Sequence, residues 1–225
     1  MISDNTKVLL LLMLKSISPD NTESLKPSEA RKVLDLLDQN NEEISSLLEN
    51  KKLLSLIESE NGISESRLSK LLSNSMSLSI NLTNWSKMGI WVISVLDLDC
   101  YPIKLKMKYR DKCPLIIYGS GNKKNLNKSG FGIVGSRKIT AEESQYAHLS
   151  GKKFASKDIL VITGGARGID QDSMFGSLQN DGHVLCILPA ELSSKVVDKK
   201  YRNYIEKQKL TMISCEEPES NWTPG

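Results

Sequence analysis

Up to about Trp85 the apolar residues recur at helical spacing, and beyond Gly89 they gather into short continuous runs. In the first stretch Asp4 stands ahead of the apolar run 8–14 and is expected to cap a buried helix. Pro27 and Ser28 open a second helix, with Val33, Leu34, Leu36 and Leu37 as its apolar stripe. Shorter helices are predicted over 44–48, 53–57 and 68–72, the last capped by Ser64. No segment repeats at the period of a solenoid.

The second stretch predicts strands over 90–95, 115–118, 131–134, 159–163, 184–188 and 210–213, and helices over 141–156, 170–181 and 199–207. Continuous apolar strands alternating with helices of this length imply βαβ units and an α/β fold. Its parallel sheet is buried on both faces, after a small all-helical region. The division falls between 1–85 and 86–225. Thr140-Ala-Glu-Glu143 forms a capping box, Asp170 is placed to cap the next helix, and Gly182 to end it in a left-handed conformation.

Charge removes one class of function. With 30 basic and 27 acidic side chains the formal net charge is only +3, so the chain does not bind polyanions by bulk charge. A nucleic-acid site must then be local. Cys100, Cys113, Cys186 and Cys215 include no C-x-x-C pair and read as reduced structural thiols. His148 and His183 have no ligand neighbours, so no metal site is expected. The run 8–14 is far short of the about 20 residues that span a bilayer, and no signal-peptide pattern accompanies it. The expectation is a cytoplasmic protein with no membrane partner.

Two turns carry the candidate chemistry. Gly132-Ile-Val-Gly135-Ser136-Arg137 leaves one strand, and Thr163-Gly164-Gly165-Ala166-Arg167-Gly168-Ile169-Asp170 leaves the next. In a doubly wound sheet such turns face one crevice. Glycines let backbone amides approach a phosphate, and each following helix adds about half a positive charge at its N-terminus. Arg137 and Arg167 beside them suit bidentate contact with phosphate oxygens. Either turn alone is equally a matter of geometry; the pair points to an anion site. The candidate nucleic-acid- or phosphate-binding residues are Gly135, Ser136, Arg137, Gly164, Gly165, Arg167 and Gly168. Neither turn is G-x-G-x-x-G, and G-x-x-x-x-G-K-[ST] is absent, so no nucleotide cofactor is expected.

Together the two turns resemble the paired signature of the DprA/Smf family of DNA-processing proteins. Trp85, Gly89-Ile90, Asp99-Cys-Tyr101-Pro102, Leu105 and Pro114-Leu-Ile-Ile-Tyr-Gly119 are similar to that family's lead-in. The resemblance runs from Trp85 to Gly225. It implies an extended Rossmann-like fold that binds single-stranded DNA, protects it during natural transformation and loads the RecA recombinase. It also implies a homodimer, and it places DNA-contacting cations at Arg137 and Arg167. Family members continue past the segment matching Asn221-Trp-Thr-Pro-Gly225 into an Arg-Asn loop, a further helical portion and often a winged helix. Relative to them the sequence is C-terminally incomplete.

Other features fit plainer roles. Lys104, Lys106, Lys108, Arg110 and Lys112 would line one side of an extended segment, although a solvated surface accounts for them, as it does for Lys123, Lys124 and Lys128 and for Lys199, Lys200 and Arg202. Trp85, Trp91 and Trp222 are too dispersed for a stacking platform; Tyr201 or Trp222 has the chemistry to stack a base, with packing the default. No nucleophile stands with a base, so no catalytic residue is assigned and a non-enzyme is expected. Two alternatives remain. A phosphoribohydrolase would need P-G-G-x-G-T-x-x-E, whose glutamate the second turn lacks, and a sensor of a small phosphorylated nucleotide would use the same crevice.

Overall fold

The computed structural model describes residues 2–19 and 22–222. Residues group into two compact units, one of Met1–Asn84, Ile93–Tyr101 and Tyr109–Leu115, the other of Trp85–Val92, Pro102–Lys108 and Ile116–Gly225. Thr223, Pro224 and Gly225, where the family resemblance ends, lie outside the described residues.

In the first unit, helices α1 (Asp4–Met13), α2 (Pro27–Gln39), α3 (Lys51–Asn61) and α4 (Glu65–Leu72) enclose an aliphatic core that includes Leu9, Leu37, Ile57 and Leu68. Ser3, and not Asp4, caps α1: its hydroxyl accepts the Thr6 amide at 3.2 Å. Ser64 caps α4 as its sequence predicts, accepting the Arg67 amide at 3.2 Å. The Arg67 guanidinium then reaches back to both Glu29 oxygens, at 2.7 and 3.0 Å, fastening α4 to the first turn of α2. The run 44–48 is a 3-10 helix. Asp97 accepts hydrogen bonds from the Ser3 and Thr6 hydroxyls and the Ser94 amide, at 2.7, 2.8 and 2.8 Å.

Helix α5 (Ser75–Lys87) was not expected from the sequence. Met76, Leu78, Ile80 and Leu82 alternate with polar residues, which imitates a strand; the positions actually buried are Leu78 and Trp85, two helical turns apart.

The six strands are β1 (Ile90–Ser94), β2 (Ile116–Ser120), β3 (Gly130–Gly132), β4 (Leu160–Thr163), β5 (Val184–Leu188) and β6 (Leu210–Ser214), in one sheet of order β1-β2-β6-β5-β4-β3. Strands β3 to β6 run parallel, whereas β2 pairs antiparallel with β6, so the sheet is mixed and the all-parallel expectation is corrected. Mixed α/β architecture with surrounding helices and N-terminal helices otherwise matches the sequence reading. The expected strand 131–134 is a three-residue edge at 130–132, exposed at every position, and Phe131 stacks on Phe154 at 4.6 Å. Its faces are left largely uncovered, unlike those of β1 at the opposite edge, which is almost wholly buried.

Helices α6 (Ile103–Tyr109), α7 (Ala141–Ala155), α8 (Ile169–Leu178), α9 (Leu192–Val197) and α10 (Lys199–Glu206) complete the chain. The alternating lysines of 104–112 therefore lie on α6 and a following 3-10 turn, not on an extended segment, and helical geometry divides them between faces, Lys104 with Lys108 one turn on and Lys106 on another. Thr140 and Glu143 form the expected capping box of α7, each side chain bonding the other's amide. α7 and α8 pack backbone to backbone. Gly151 faces the Ser173 carbonyl and Gly176 the His148 carbonyl, with no space for a side chain at either. The left-handed residue beyond α8 is Asp181, at φ 63°, and not Gly182.

Candidate functional site

Strands β3 and β4 are parallel neighbours, so the turns leaving them emerge side by side. The two glycine corners are joined directly. The Ile169 amide donates to the Ser136 carbonyl at 3.2 Å, and Gly168 lies against Ser136 and Arg137. Gly168 has φ 90° and ψ −136°, a conformation open to glycine alone, and it has no room for a Cβ. A Cβ on Gly135 would stand 2.6 Å from that of Ile169, so this position too is glycine for close approach.

Asp170 locks the corners together. It does not cap α8; the cap position is Gly168 and Asp170 is the second helical residue. The residue is 5% exposed, and its carboxylate accepts the Gly135 amide on one oxygen, at 3.0 Å, and the Gly164 amide on the other, at 3.1 Å. A carboxylate in the first turn also complements the positive end of the helix. Two amides that the sequence offers to a phosphate are thus bound to the chain's own anion. Further donors are spent internally: the Gln171 and Asp172 amides on Ala166 and Gly168, and the Ser136 hydroxyl on the Lys138 carbonyl at 2.7 Å. Sequence inspection missed this bridge because an aspartate just after a glycine turn carries the signature of an ordinary cap.

The cations remain outward. Arg137 and Arg167 are exposed, and neither enters an ion pair among the described residues. The Arg137 guanidinium lies 5.6 Å from the ring centroid of Trp222. Of the seven residues singled out by sequence, the structure gathers all into these two corners. Gly135, Gly164 and Gly168 shape the frame, Ser136 closes its own turn, and the two guanidinium groups supply charge.

Lys200 is a cation that sequence reading left on a solvated surface. Its ammonium stands 4.6 Å above the Phe175 ring and donates to Gln171 Oε1 at 3.0 Å. Gln171 in turn donates to the Gly165 carbonyl at 3.3 Å, which links Lys200 to the second corner. Three separate segments make this chain of contacts, and no local spacing announces it. Below Gly165, burial pushes the Cys186 thiol up to about 12, helped by the Asp170 charge, so this sulfur stays protonated and is a poor nucleophile. No group of three or more potential metal ligands occurs among the described residues, and no helix there is long and apolar enough to cross a membrane.

Comparison with known proteins gives the family. Protein Smf of Borreliella burgdorferi is 25% identical over 115 residues, which are 51% of this chain and 36% of that protein, so the chain spans about a third of this relative. The X-ray structure of DNA processing protein A (DprA) from Streptococcus pneumoniae has the same fold, at 20% identity and a TM-score of 0.61. That match covers 98% of this chain and 70% of the pneumococcal one. DNA processing protein A from Helicobacter pylori, a structure concerned with its single-stranded DNA binding mode, matches at 18% identity and a TM-score of 0.45, over 60% of this chain and 58% of its own. The family model of DNA recombination-mediator protein A matches residues 92–224, a stretch that takes in every strand from β2 onward and both glycine corners. With more than half its length so matched, the chain belongs to the DNA recombination-mediator protein A family.

Proposed function

We propose that the chain binds single-stranded DNA at the two joined corners, without catalysis, as part of DNA processing in the cytoplasm. Arg137 and Arg167 hold successive phosphates. Gly135, Gly164, Gly165 and Gly168, each packed closely on the protein's own atoms, and Ser136, which closes its own turn, give the corners the shape that carries these arginines. The observation that carries this reading is the pair of exposed arginines, free of ion pairs among the described residues, on corners that Asp170 fixes in one frame. Family membership supports DNA over other polyanions, and delivery of the strand to a RecA recombinase is the corresponding role in recombination. Phosphate contacts position a strand without reading bases, so many sequences are accepted.

Fluorescence anisotropy with a labelled oligo-dT strand tests the proposal. Binding is expected at low salt and should weaken steeply as salt rises, because each neutralised phosphate releases counterions. Salt-insensitive or absent binding by folded protein refutes it. Displacement of the strand by equimolar AMP would instead favour the nucleotide-sensing alternative.

A further inference from the structure

We infer that Trp222 is a base-stacking residue of this same site, held ready by Arg137; the inference rests on the single-strand reading above. Trp222 is 45% exposed, although a tryptophan ring is among the costliest groups to leave in water. Its position is fixed from behind. The Glu191 amide donates to the Ser220 carbonyl and the Ser193 amide to the Pro218 carbonyl, both at 2.9 Å, and Trp85 Nε1 donates to Glu219 at 2.7 Å. The segment is thereby latched to the start of α9 and to Trp85, and Trp222 follows two residues later. From there its ring meets the guanidinium of Arg137, on the first corner, at 5.6 Å.

A nucleotide joins a flat base to a phosphate, and Arg137 and Trp222 present the two complements side by side. An exposed cation–π contact is weak beside a charge-assisted bond between guanidinium and phosphate. An arriving strand therefore draws Arg137 onto its backbone and frees the indole face for a base. Stacking is sequence-tolerant, since every base has a π-face.

The test uses the full chain as wild type, Trp222→Ala and Trp222→Phe, with two labelled strands of equal length, oligo-dT and an abasic strand that keeps phosphates and lacks bases. Trp222→Ala should weaken oligo-dT binding about tenfold while leaving the abasic strand unchanged, and Trp222→Phe should retain most of the affinity. Equal weakening of both strands would mean that Trp222 only positions Arg137 and would overturn the stacking role. No change with either strand would overturn it as well. If wild type binds neither strand, the single-strand reading falls and this inference with it; if wild type binds both and only the stacking pattern is absent, the reading stands and this inference alone fails.

Discussion

Gly168 lies directly against the Ser136 carbonyl, so the two corners share a surface that any side chain at 168 would part. Gly168→Ala must also adopt φ 90°. Backbone strain alone costs about 1–3 kcal/mol, and the clash adds to it. Chemical denaturation should show a lower midpoint for this variant, and an unchanged midpoint would mean that the corners are not in register as described.

Removing the Asp170 carboxylate leaves two amides without an acceptor. Asp170→Ala should lose about 1–3 kcal/mol for each of them. Asp170→Asn retains one acceptor oxygen and turns a donor toward the other amide, so it should fall between wild type and alanine. Urea unfolding of the three proteins measures the order.

Arg137→Gln and Arg167→Gln should leave the unfolding midpoint unaltered, since both side chains are exposed and outside ion pairs among the described residues. Each should flatten the dependence of log affinity on log salt by about 0.7 for oligo-dT. Equal salt slopes for variants and wild type would exclude direct phosphate contact.

On an isolated helix Gly151→Ala would stabilise, by about 1 kcal/mol. Here the sign reverses, because Gly151 faces the Ser173 carbonyl across the α7–α8 contact. Overpacking of this kind costs about 1–3 kcal/mol, and thermal unfolding should therefore begin at lower temperature in the variant. A stabilised Gly151→Ala would show that the helices separate freely.

Acid should weaken the N-terminal unit first. The hydrogen bond from Arg67 is the main cause that holds Glu29 below its ordinary value. Burial raises Asp97, but hydrogen bonds from Ser3, Ser94 and Thr6 outweigh it and leave the group lowered. As pH falls, the unfolded chain takes up these protons before the folded one. The stabilisation is therefore complete above the ordinary carboxylate range, near pH 4, and disappears as pH falls through the lowered folded values. Unfolding midpoints from pH 7 downward should drop less steeply for Arg67→Met than for wild type.

The sequence disclosed the elements whose signal is local. The apolar runs of β4, β5 and β6, the Thr140–Glu143 box and the Ser64 cap each depend on a few adjacent residues, and each is found where it was read. What it hid depends on distant partners. Gly130–Gly132 reads like its buried neighbours, and nothing local shows that folding leaves it exposed at the end of the sheet. The antiparallel pairing of β2 leaves no mark on its composition. At the site the glycines and arginines were visible as a pattern, whereas the Asp170 bridge, the Lys200–Gln171–Gly165 chain and the Trp222–Arg137 contact join residues that only folding brings near.

Corners braced by their own carboxylate leave these two turns little to organise if a strand is bound. The entropy of ordering the Gly135 and Gly164 turns is surrendered once, during folding, and is not charged again at encounter. Only the exposed guanidinium arms are left to adjust. Association should accordingly be quick and governed by diffusion and long-range attraction, with no slow rearrangement phase in stopped-flow traces.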